Sequence, residues 1–198
     1  MARFVEKFTY ADGLLPSATY GAVAADSLHN VASGICQTPA AGGNENYVKS
    51  TAFSFATNDQ FIRGRIAAFT GASGGDIGLM LRCATDGTRT FYCFLIQKNP
   101  LRTAIQKRVV GVFTELIFDT STTWGAMDIM EGRVIGTNLF LFRNNIQVLT
   151  ISDNAIASGG AGLRLTEAGA TRTDTGLDDL YAGDYPDPVY DIHRHYLS

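Results

Sequence analysis

Charged residues are scarce in this chain of 198 residues. They make up 18% of the sequence, against roughly 25% in an average soluble domain, while hydrophobic residues make up 45%. Such a composition disfavours a disordered chain, because disorder goes with high charge and few apolar residues. The formal net charge is −3, so the chain is not basic overall and we do not expect a nucleic-acid partner.

Long apolar runs are also missing. The sequence contains no run of about 18 apolar residues, so no membrane-spanning helix and no membrane partner are expected. The opening sequence, MARFVEKFTYADG, lacks the apolar core of a secretory signal peptide. If Met1 is the natural start, the chain is expected to be made in the cytoplasm and not exported by an ordinary signal peptide.

Cysteine occurs only at Cys36, Cys83 and Cys93, which is too few for a disulfide scaffold. Cys83 and Cys93 flank a predicted hairpin turn at Asp86-Gly87. In a hairpin centred there, their sulfurs point to opposite faces and cannot bond. We interpret all three cysteines as small, buried, apolar residues.

The most regular pattern is the sequence RVIGTNLFLFRNNIQVLTISD, residues 133–153. Two adjacent asparagines, Asn144 and Asn145, suit the positive φ angles of a two-residue type I′ hairpin loop. On the strand before them, Phe140 and Phe142 alternate with leucines, so both faces of that strand are apolar. Because a strand that is apolar on both faces is covered on both sides, we predict that both phenylalanines are buried.

Short apolar segments separated by turn residues recur along the rest of the chain. No window has a convincing period of 3.6 residues, and the pattern predicts about a dozen short strands. We therefore predict an all-β chain, folded as a two-sheet antiparallel jelly-roll sandwich over residues 1–183 with an extended tail over 184–198. Strands are predicted at residues 4–8, 19–24, 28–36, 48–57, 61–69, 77–84, 90–97, 108–119 and 177–181, and in a segment that Trp124 opens.

Four stretches of the sequence match one known group of β-sandwiches. They are Phe8-x-x-x-Asp12-Gly13-Leu14, the run GLMLR (78–82) before Asp86-Gly87, the Asn-Asn hairpin with Gly159-Gly160-x-Gly162-Leu163 after it, and Leu177-Asp178-Asp179-Leu180. In this order they resemble the concanavalin A-like lectin and glucanase group, laminin-G-like sandwiches included. The motifs mark turns and core positions, so the resemblance implies the jelly-roll fold more strongly than any activity.

The glucanases of this group carry paired catalytic glutamates in the motif Glu-x-Asp-x-x-Glu, with carboxyls roughly 5 Å apart in retaining enzymes. The run AMDIME, residues 126–131, resembles this motif with Ala126 in the place of the nucleophile. A methyl group cannot attack an anomeric carbon, so no retaining hydrolysis through Glu131 is expected. The alternative interpretation is a plain strand that bends at Glu131-Gly132.

Arg82, Tyr92 and Trp124 are the candidates for a glycan-contacting surface. Aromatic rings stack on the C–H faces of pyranoses, and arginine donates hydrogen bonds to hydroxyls or carboxylates. In the predicted hairpin Tyr92 lies opposite Leu81, so Arg82 points to the other face unless a bulge intervenes. Ordinary core or rim packing is the alternative for each of the three.

A structural calcium ion is the only cofactor that the resemblance implies. Related sandwiches often bind calcium where the first and last strands meet, which here points to Asp12 and Asp178. Calcium requires 6–8 oxygen ligands, and main-chain carbonyls near Asp12 would supply some of them. Solvated acidic turn residues are the alternative.

The final sequence, DYPDPVYDIHRHYLS, carries more apolar and aromatic residues than a solvating tail. Tyrosine is enriched at protein interfaces, so we predict that the tail packs on a neighbouring subunit or another assembly protein. Packing across its own domain is the alternative. The predicted contact residues are Tyr185, Tyr190, Ile192, His193 and Tyr196.

Two classes of function remain open. The first is a non-catalytic structural or adhesion module, of decoration or fibre type, in a bacteriophage virion or another surface assembly. Such a module would be a homo-oligomer with a glycan as a further partner, located on the virion or outside the cell after lysis. The second is a carbohydrate-active enzyme, a glycoside hydrolase or polysaccharide lyase, whose site the sequence motifs do not reveal.

Overall fold

The computed structural model describes residues 3–9, 13–14, 20–22, 29–33, 35–37, 46–50, 53–70, 75–84, 88–166 and 175–186. Over these ranges the chain forms β-strands and no helix, and the strands build two antiparallel sheets. No helix within the described ranges could therefore cross a membrane. The all-β, two-sheet antiparallel sandwich predicted from the sequence is confirmed.

Within the described ranges the larger sheet contains nine strands, from both the early and late parts and the middle of the chain. They are β1 (Arg3–Glu6), β2 (Gly13–Leu14), β4 (Asn30–Ala32), β5 (Ile35–Gln37), β7 (Gln60–Phe69), β12 (Ile129–Ile135), β13 (Asn138–Arg143), β14 (Ile146–Ser152) and β16 (Thr175–Asp184). Their order across the sheet is β14-β13-β12-β7-β16-β5-β4-β2, and β1 also pairs with β16.

The smaller sheet contains seven strands in the part of the chain that the structure describes. They are β3 (Tyr20–Ala22), β6 (Asn46–Ser50), β8 (Asp76–Cys83), β9 (Phe91–Gln97), β10 (Arg102–Val109), β11 (Val112–Asp119) and β15 (Gly160–Thr166). Their order is β11-β10-β9-β8-β15-β6-β3. The predicted pairing of β8 with β9 is confirmed, including Leu81 opposite Tyr92 and Met80 opposite Cys93.

The core lies between the two sheets and is built from every second residue of the central strands. On β9 the inward side chains are Tyr92, Phe94 and Ile96, all of which are fully buried. Gly132 on β12 faces Phe94 from the other sheet, and a Cβ atom at this glycine would overlap the phenylalanine ring. The missing side chain therefore lets the two sheets approach each other at this point.

The two-residue loop at Asn144-Asn145 is confirmed by φ angles of 50° and 68°. The prediction that Phe140 and Phe142 are both buried is wrong, because each is only half-buried. The leucines that alternate with them face the core, so the phenylalanines lie on the outer side of the larger sheet. Among the described strands β13 is next to the edge strand, β14, and the outer side of the sheet is partly open here.

The single strand predicted over residues 108–119 is in fact a hairpin. β10 and β11 pair across a turn at Val110 and Gly111, whose φ angles are 50° and 83°. The amide N–H of Val110 donates to Oγ1 of Thr90 at 2.9 Å, and that of Gly111 to the carbonyl of Arg89 at 3.0 Å. A valine in this conformation is uncommon, which is why the sequence did not indicate the turn.

Trp124 does not open a strand. The chain forms a turn through Met127, which has a φ angle of 71°, and β12 begins only at Ile129. The amide N–H of Met127 donates to the carbonyl of Ile66 at 2.8 Å, and Oδ2 of Asp128 accepts from the amide N–H of Gly125 at 2.9 Å. One tertiary and one local hydrogen bond therefore hold this segment as a turn.

We predict that Gly132→Ala destabilises the fold by about 1–3 kcal/mol, because the new methyl group must displace Phe94 in a packed core. The matched control is Gly125→Ala, since a Cβ atom at Gly125 has no neighbour within 4 Å. Urea unfolding of both variants checks the prediction. Equal stabilities for the two would show that the sheets do not meet at Gly132.

Candidate functional site

Arg82, the first glycan-contact candidate, is a buried structural residue with 3% of its surface exposed. The φ angle of Arg82 is 53°, and the register between β8 and β15 shifts nearby. Both features mark a bulge, which is the condition under which Arg82 could share a face with Tyr92. The guanidinium donates to the carbonyls of Ile156 at 2.7 Å, Asn58 at 2.9 Å and Gly136 at 2.8 Å. Burial lowers the pKa of this arginine.

Tyr92, the second candidate, is fully buried and bonded to the same segment as Arg82. Its hydroxyl donates to Oδ1 of Asp153 at 2.6 Å and accepts from the amide N–H of Ile156 at 3.1 Å. Burial, together with the hydrogen bond to Asp153, raises the pKa of Tyr92 to about 12. Lys107 forms an ion pair with the same carboxylate, so β9 and β10 are both tied to the end of β14.

Trp124, the third candidate, is 5% exposed and packs in the core between the sheets. Its indole N–H donates to Oγ1 of Thr103 on β10 at 2.8 Å. All three side chains thus bond within the protein, and none offers an exposed ring or guanidinium to a sugar. The interpretation as core and rim packing fits them, and the glycan-contact interpretation is corrected.

Glu131 lies on the outer side of the larger sheet, but only 2% of its surface is exposed. Its carboxylate pairs with Arg133 two residues along the strand. The Arg133 guanidinium carbon in turn lies 4.2 Å from the ring centroid of Phe142 and 5.2 Å from that of Tyr185. Ala126 lies in the turn before β12, so the two ends of the glucanase-like motif do not share a strand.

The calcium hypothesis finds little support at Asp178. Oδ2 of Asp178 pairs with Arg65, and Oδ1 accepts the amide N–H of Asp179 at 2.8 Å. Both oxygens therefore already have protein donors, which fits a cation site poorly. Asp12 lies outside the described residues, and the described residues contain no group of three His, Cys, Asp or Glu side chains that could hold a metal.

The predicted tail begins later than residue 184. Asp184 is the last residue of β16, is 2% exposed, and accepts the amide N–H groups of Ala56 and Thr57 at 2.9 Å each. Tyr185 is half-buried, and its amide N–H donates to the carbonyl of Asp59 at 2.8 Å. These two residues therefore pack on their own domain. The other predicted contacts, Tyr190, Ile192, His193 and Tyr196, lie outside the described residues.

The central strands of the smaller sheet are buried on both of their faces. A second apolar cluster, separate from the core, lies on the side that faces away from the larger sheet. Its members are Tyr47, Met80, Cys83, Phe91, Cys93, Leu95 and Ala104. Cys83 and Cys93 are both free, as expected, and so is the buried Cys36.

Three arginines surround the ring of Tyr47 in this second cluster. The guanidinium carbons of Arg89, Arg108 and Arg164 lie 5.4, 5.0 and 5.7 Å from the ring centroid. All three distances are within the roughly 6 Å range of a cation–π contact. Because the arginines come from a loop, from β10 and from β15, only the folded sheet brings them together.

We call this surface the basic face. It comprises Tyr47, Lys49, Arg89, Arg108 and Arg164. Tyr47 and Lys49 are two positions apart on β6, so their side chains point to the same side of the sheet. Arg164 forms a buried ion pair with Asp76 at 2.8 Å, whereas Arg89 and Arg108 are each partly exposed.

Towards the edge strand, the same side of the sheet carries two exposed phenylalanines. Phe113 and Phe118 on β11 are 51% and 52% exposed. The guanidinium carbon of Arg102 lies 4.2 Å from the ring centroid of Phe118, and Arg102 also pairs with Glu115. The edge thus repeats the combination of aromatic rings and arginines found around Tyr47.

A cleft of about 530 Å³ borders the basic face where β6 and β8 end and β15 begins. We call it the rim cleft. It shares Lys49, Ser50, Cys83 and Gly160 with the smaller sheet and is lined further by Phe53, Ser54, Phe55, Thr57, Asn58, Gln60, Ser158 and Gly159. Phe53 and Phe55 are half-buried, with ring centroids 4.8 Å apart in an edge-to-face arrangement.

Sequence reasoning missed both surfaces, although one signal pointed to the first. The run FYCFLI on β9 is apolar at every position, which indicates a strand covered on both sides. That pattern predicted the central hairpin but not the groups that lie over its second side. The positions of Arg89, Arg108 and Arg164 depend on sheet order, which no local pattern contains.

We predict that Tyr92→Phe lowers the stability by about 1.5–3 kcal/mol near neutral pH, because a buried hydrogen bond to a charged group is lost. Burial opposes ionisation of Asp153, but hydrogen bonds from Lys107 and Tyr92 outweigh it and lower the pKa of this carboxyl. The contribution of the ionised Asp153 carboxyl to folding stability is therefore present above the unfolded-state pKa of about 3.9, and it is lost as the pH falls through the folded-state pKa.

The cost of Tyr92→Phe should accordingly shrink as the pH approaches that lowered value. Chemical unfolding between neutral and acid pH measures this trend, and a double-mutant cycle with Asp153→Asn isolates the pair. A cost that stays constant with pH, or an absence of coupling in the cycle, would contradict the assignment.

No family model matches this sequence, and no curated protein matches it either. Solved structures do. A carbohydrate-binding module CBM66 from Bacillus subtilis superposes with a TM-score of 0.59 at 16% identity, covering 82% of this chain and 92% of that one. A β-1,3-1,4-glucanase from a mouse hindgut metagenome gives 0.60 at 12% identity, with 93% and 99% coverage.

The exoplasmic domain of VIP36, in a form bound to Ca²⁺ and Man3GlcNAc, gives a TM-score of 0.63 at 10% identity and covers 97% of this chain and 95% of that one. At these identities the likeness establishes the fold alone. The predicted tie to bacteriophage virions gains no support from these structures. The chain has the jelly-roll fold of the concanavalin A-like lectins and glucanases.

Proposed function

We propose that this chain is a non-catalytic carbohydrate-binding module that binds its glycan in the rim cleft. The observation that carries the proposal is the lining of this cleft, where the half-buried rings of Phe53 and Phe55 lie beside exposed serine and asparagine side chains. The cleft lies within the described part of the chain.

The chemistry of the rim cleft suits a saccharide. Its volume of about 530 Å³ falls in the range of roughly 300–1,000 Å³ typical of small-molecule sites. The half-buried rings of Phe53 and Phe55 offer apolar surface to pyranose C–H groups. Ser54, Asn58 and Ser158 are exposed on its lining and can exchange hydrogen bonds with sugar hydroxyls.

Among the structural neighbours are proteins whose names refer to carbohydrate, a binding module and a glycan-bound lumenal domain among them. They share only the fold with this chain, and fold alone does not fix function. They support the proposal only by showing that this architecture occurs in other proteins named for carbohydrate binding.

A glucanase also shares the fold, so an enzymatic function is the second candidate. The geometry around Glu131 favours the non-catalytic proposal. This carboxylate is 2% exposed and paired with Arg133, so a substrate cannot reach it without breaking a buried ion pair. No residue with a nucleophilic side chain occupies position 126, where alanine stands.

The proposal includes the place of the module in an assembly, as a homo-oligomeric component of a virion or another surface particle. Its basis is the sequence of the tail, rich in tyrosine after residue 184. Location on a virion, or outside the cell after lysis, belongs to the same hypothesis. Calcium, too, stays a prediction, which now depends on Asp12.

We predict that a glycan array detects binding, and that Phe55→Ala and Asn58→Ala each weaken the recognised glycan by roughly tenfold, which corresponds to about 1.4 kcal/mol. The matched control is Phe140→Ala, since Phe140 is also half-buried but lies on the outer side of the larger sheet. Equal losses in Phe55→Ala and Phe140→Ala would place the effect in stability rather than in binding.

The same glycans should remain intact during long incubation with the protein. Reducing ends that accumulate with the wild-type chain, and no longer do so with Glu131→Gln, would overturn the non-catalytic part of the proposal.

A deletion of residues 187–198 tests the role of the tail. It spares Asp184, which caps the backbone at Ala56 and Thr57. We predict that the shortened chain keeps its melting temperature and loses self-association or attachment to its particle, as measured by analytical ultracentrifugation and pull-down. A lower melting temperature with assembly intact would mean that the tail only covers its own domain.

A further inference from the structure

We propose that the edge strand β11 pairs with β11 of a second copy of this chain, so that the two smaller sheets join into one continuous antiparallel sheet. The basis is a concentration of exposed apolar side chains on a strand whose outer edge meets no further strand among the described residues. The inference goes beyond the proposed function, because it requires neither a glycan in the rim cleft nor a contact made by the tail.

Exposed apolar side chains are concentrated in the β10–β11 hairpin. Of the seven exposed large hydrophobic side chains in the described ranges, four lie in this hairpin, namely Val110, Val112, Phe113 and Phe118, which are 74%, 68%, 51% and 52% exposed. The remaining three lie on separate parts of the fold. Single exposed apolar residues are common on soluble proteins, whereas a concentration of them indicates a contact surface.

The backbone of β11 is open to pairing on one side. In the described part of the smaller sheet β11 is the terminal strand, with β10 as its neighbour, and an edge strand presents N–H and C=O groups to any further strand. Charged side chains often protect such edges. Here Glu115 pairs with Arg102, and Asp119 accepts the amide N–H groups of Ser121 and Thr122 at 3.1 and 2.7 Å. Both carboxylates of the strand are thus already bonded within the chain.

A β-bulge places the two exposed phenylalanines of β11 on the same side of the sheet. The register between β10 and β11 shifts once and leaves Leu116 as the extra residue. Phe113 lies opposite Arg108, and Phe118 lies opposite Ala104. Positions 104 and 108 are four residues apart on β10, so their side chains share a side of the sheet and lie roughly 13 Å apart along the strand. The two rings share this side and this spacing.

This arrangement is self-complementary. If two β11 strands pair antiparallel about a twofold axis at the middle of the strand, Phe113 of each copy lies opposite Phe118 of the other. Two aromatic cross-strand pairs then form, one on each side of the axis. The guanidinium carbon of Arg102 lies 4.2 Å from the ring centroid of Phe118, and that of Arg108 lies 6.0 Å from the ring centroid of Phe113. Because one strand supplies both halves of each pair, the edge fits a second copy of itself in a closed, symmetric dimer.

Sedimentation equilibrium of the full chain over a range of protein concentrations tests the inference. We expect a reversible equilibrium between monomer and dimer. Phe113→Lys and Phe118→Lys should each raise the dissociation constant of the dimer by roughly tenfold or more, because each replaces a ring in both symmetry-related pairs by a charge. The matched control is Ile146→Lys, since Ile146 is 72% exposed but lies on β14 of the larger sheet, and it should leave the dissociation constant unchanged.

The double variant Phe113→Lys/Phe118→Glu tests the register. In the twofold arrangement each introduced lysine lies opposite an introduced glutamate of the other copy, and opposite charges at paired positions stabilise neighbouring strands. The double variant should therefore associate more tightly than either Phe113→Lys or Phe118→Lys. A double variant that associates no more tightly than the single lysine variants would overturn this pairing.

Amide hydrogen exchange of the wild-type chain gives a measurement that does not depend on the folding of any variant. Exchange in β11 should slow as the protein concentration is raised, because pairing with a second copy protects its backbone N–H groups. Exchange in β14, an edge strand of the larger sheet in the described order, should not change. Slowing in β14 and not in β11 would place the interface on the other sheet and overturn the inference.

The outcomes also separate this dimer from the proposed function. We expect the chain without residues 187–198 to remain dimeric, with the tail serving attachment to the particle. A wild-type chain that stays monomeric at every concentration would overturn the inference. The same holds for a dimer that the deletion abolishes and Phe113→Lys leaves intact, a result that would retain the proposed role of the tail.

Glycan binding should be unchanged in Phe113→Lys when it is measured per site, because the lining of the rim cleft contains no residue of β11. A weaker intrinsic affinity for the glycan in Phe113→Lys, with the wild-type chain monomeric, would assign the exposed phenylalanines to the ligand and overturn the inference. A chain that forms the β11 dimer and binds no glycan would defeat the proposed function and leave this interface in place.

Discussion

One buried cation holds this sandwich together at the end where the candidate site lies. The guanidinium of Arg82 donates to the carbonyls of Asn58, Gly136 and Ile156, which belong to three separate connections between strands. These carbonyls satisfy donors of a buried charge, so each connection must keep its place if the two Nη groups are to stay bonded, whereas the buried Nε has no acceptor among the described residues. Without these three acceptors, a positive charge would remain inside the protein.

Neighbouring contacts extend the same constraint. Asp59 accepts the amide N–H of Gly136 at 2.7 Å, and the hydroxyl of Tyr92 bonds to Asp153 and to the amide N–H of Ile156. The rim cleft lies directly beside this region. Asn58, in the connection before β7, and Gly159, in the connection between β14 and β15, both line it. A site on such fixed connections needs little rearrangement to bind, which favours affinity.

The smaller sheet explains how the fold can display arginines without losing stability. Its central strands are apolar on both faces, with one face in the core and the other in the second cluster around Tyr47. Arg89 and Arg108 contact this cluster and remain partly exposed, as long cationic side chains commonly do, whereas Arg164 is paired with Asp76 inside the protein. These arginines therefore belong to the packing of the sheet, and their substitutions need a control for folding.

The sequence by itself determined the strand content, the Asn144-Asn145 loop and the register of the β8–β9 hairpin, because each depends on alternation and turn residues over a short span. It could not assign Arg82, whose left-handed backbone at a bulge redirects the side chain into the interior. The sequence pattern also predicted wrongly that Phe140 is buried, because alternation shows that a face is apolar but not what lies over it. The group formed by Arg89, Arg108 and Arg164 was decided only by tertiary structure, because long-range sheet order alone sets which distant strands become neighbours.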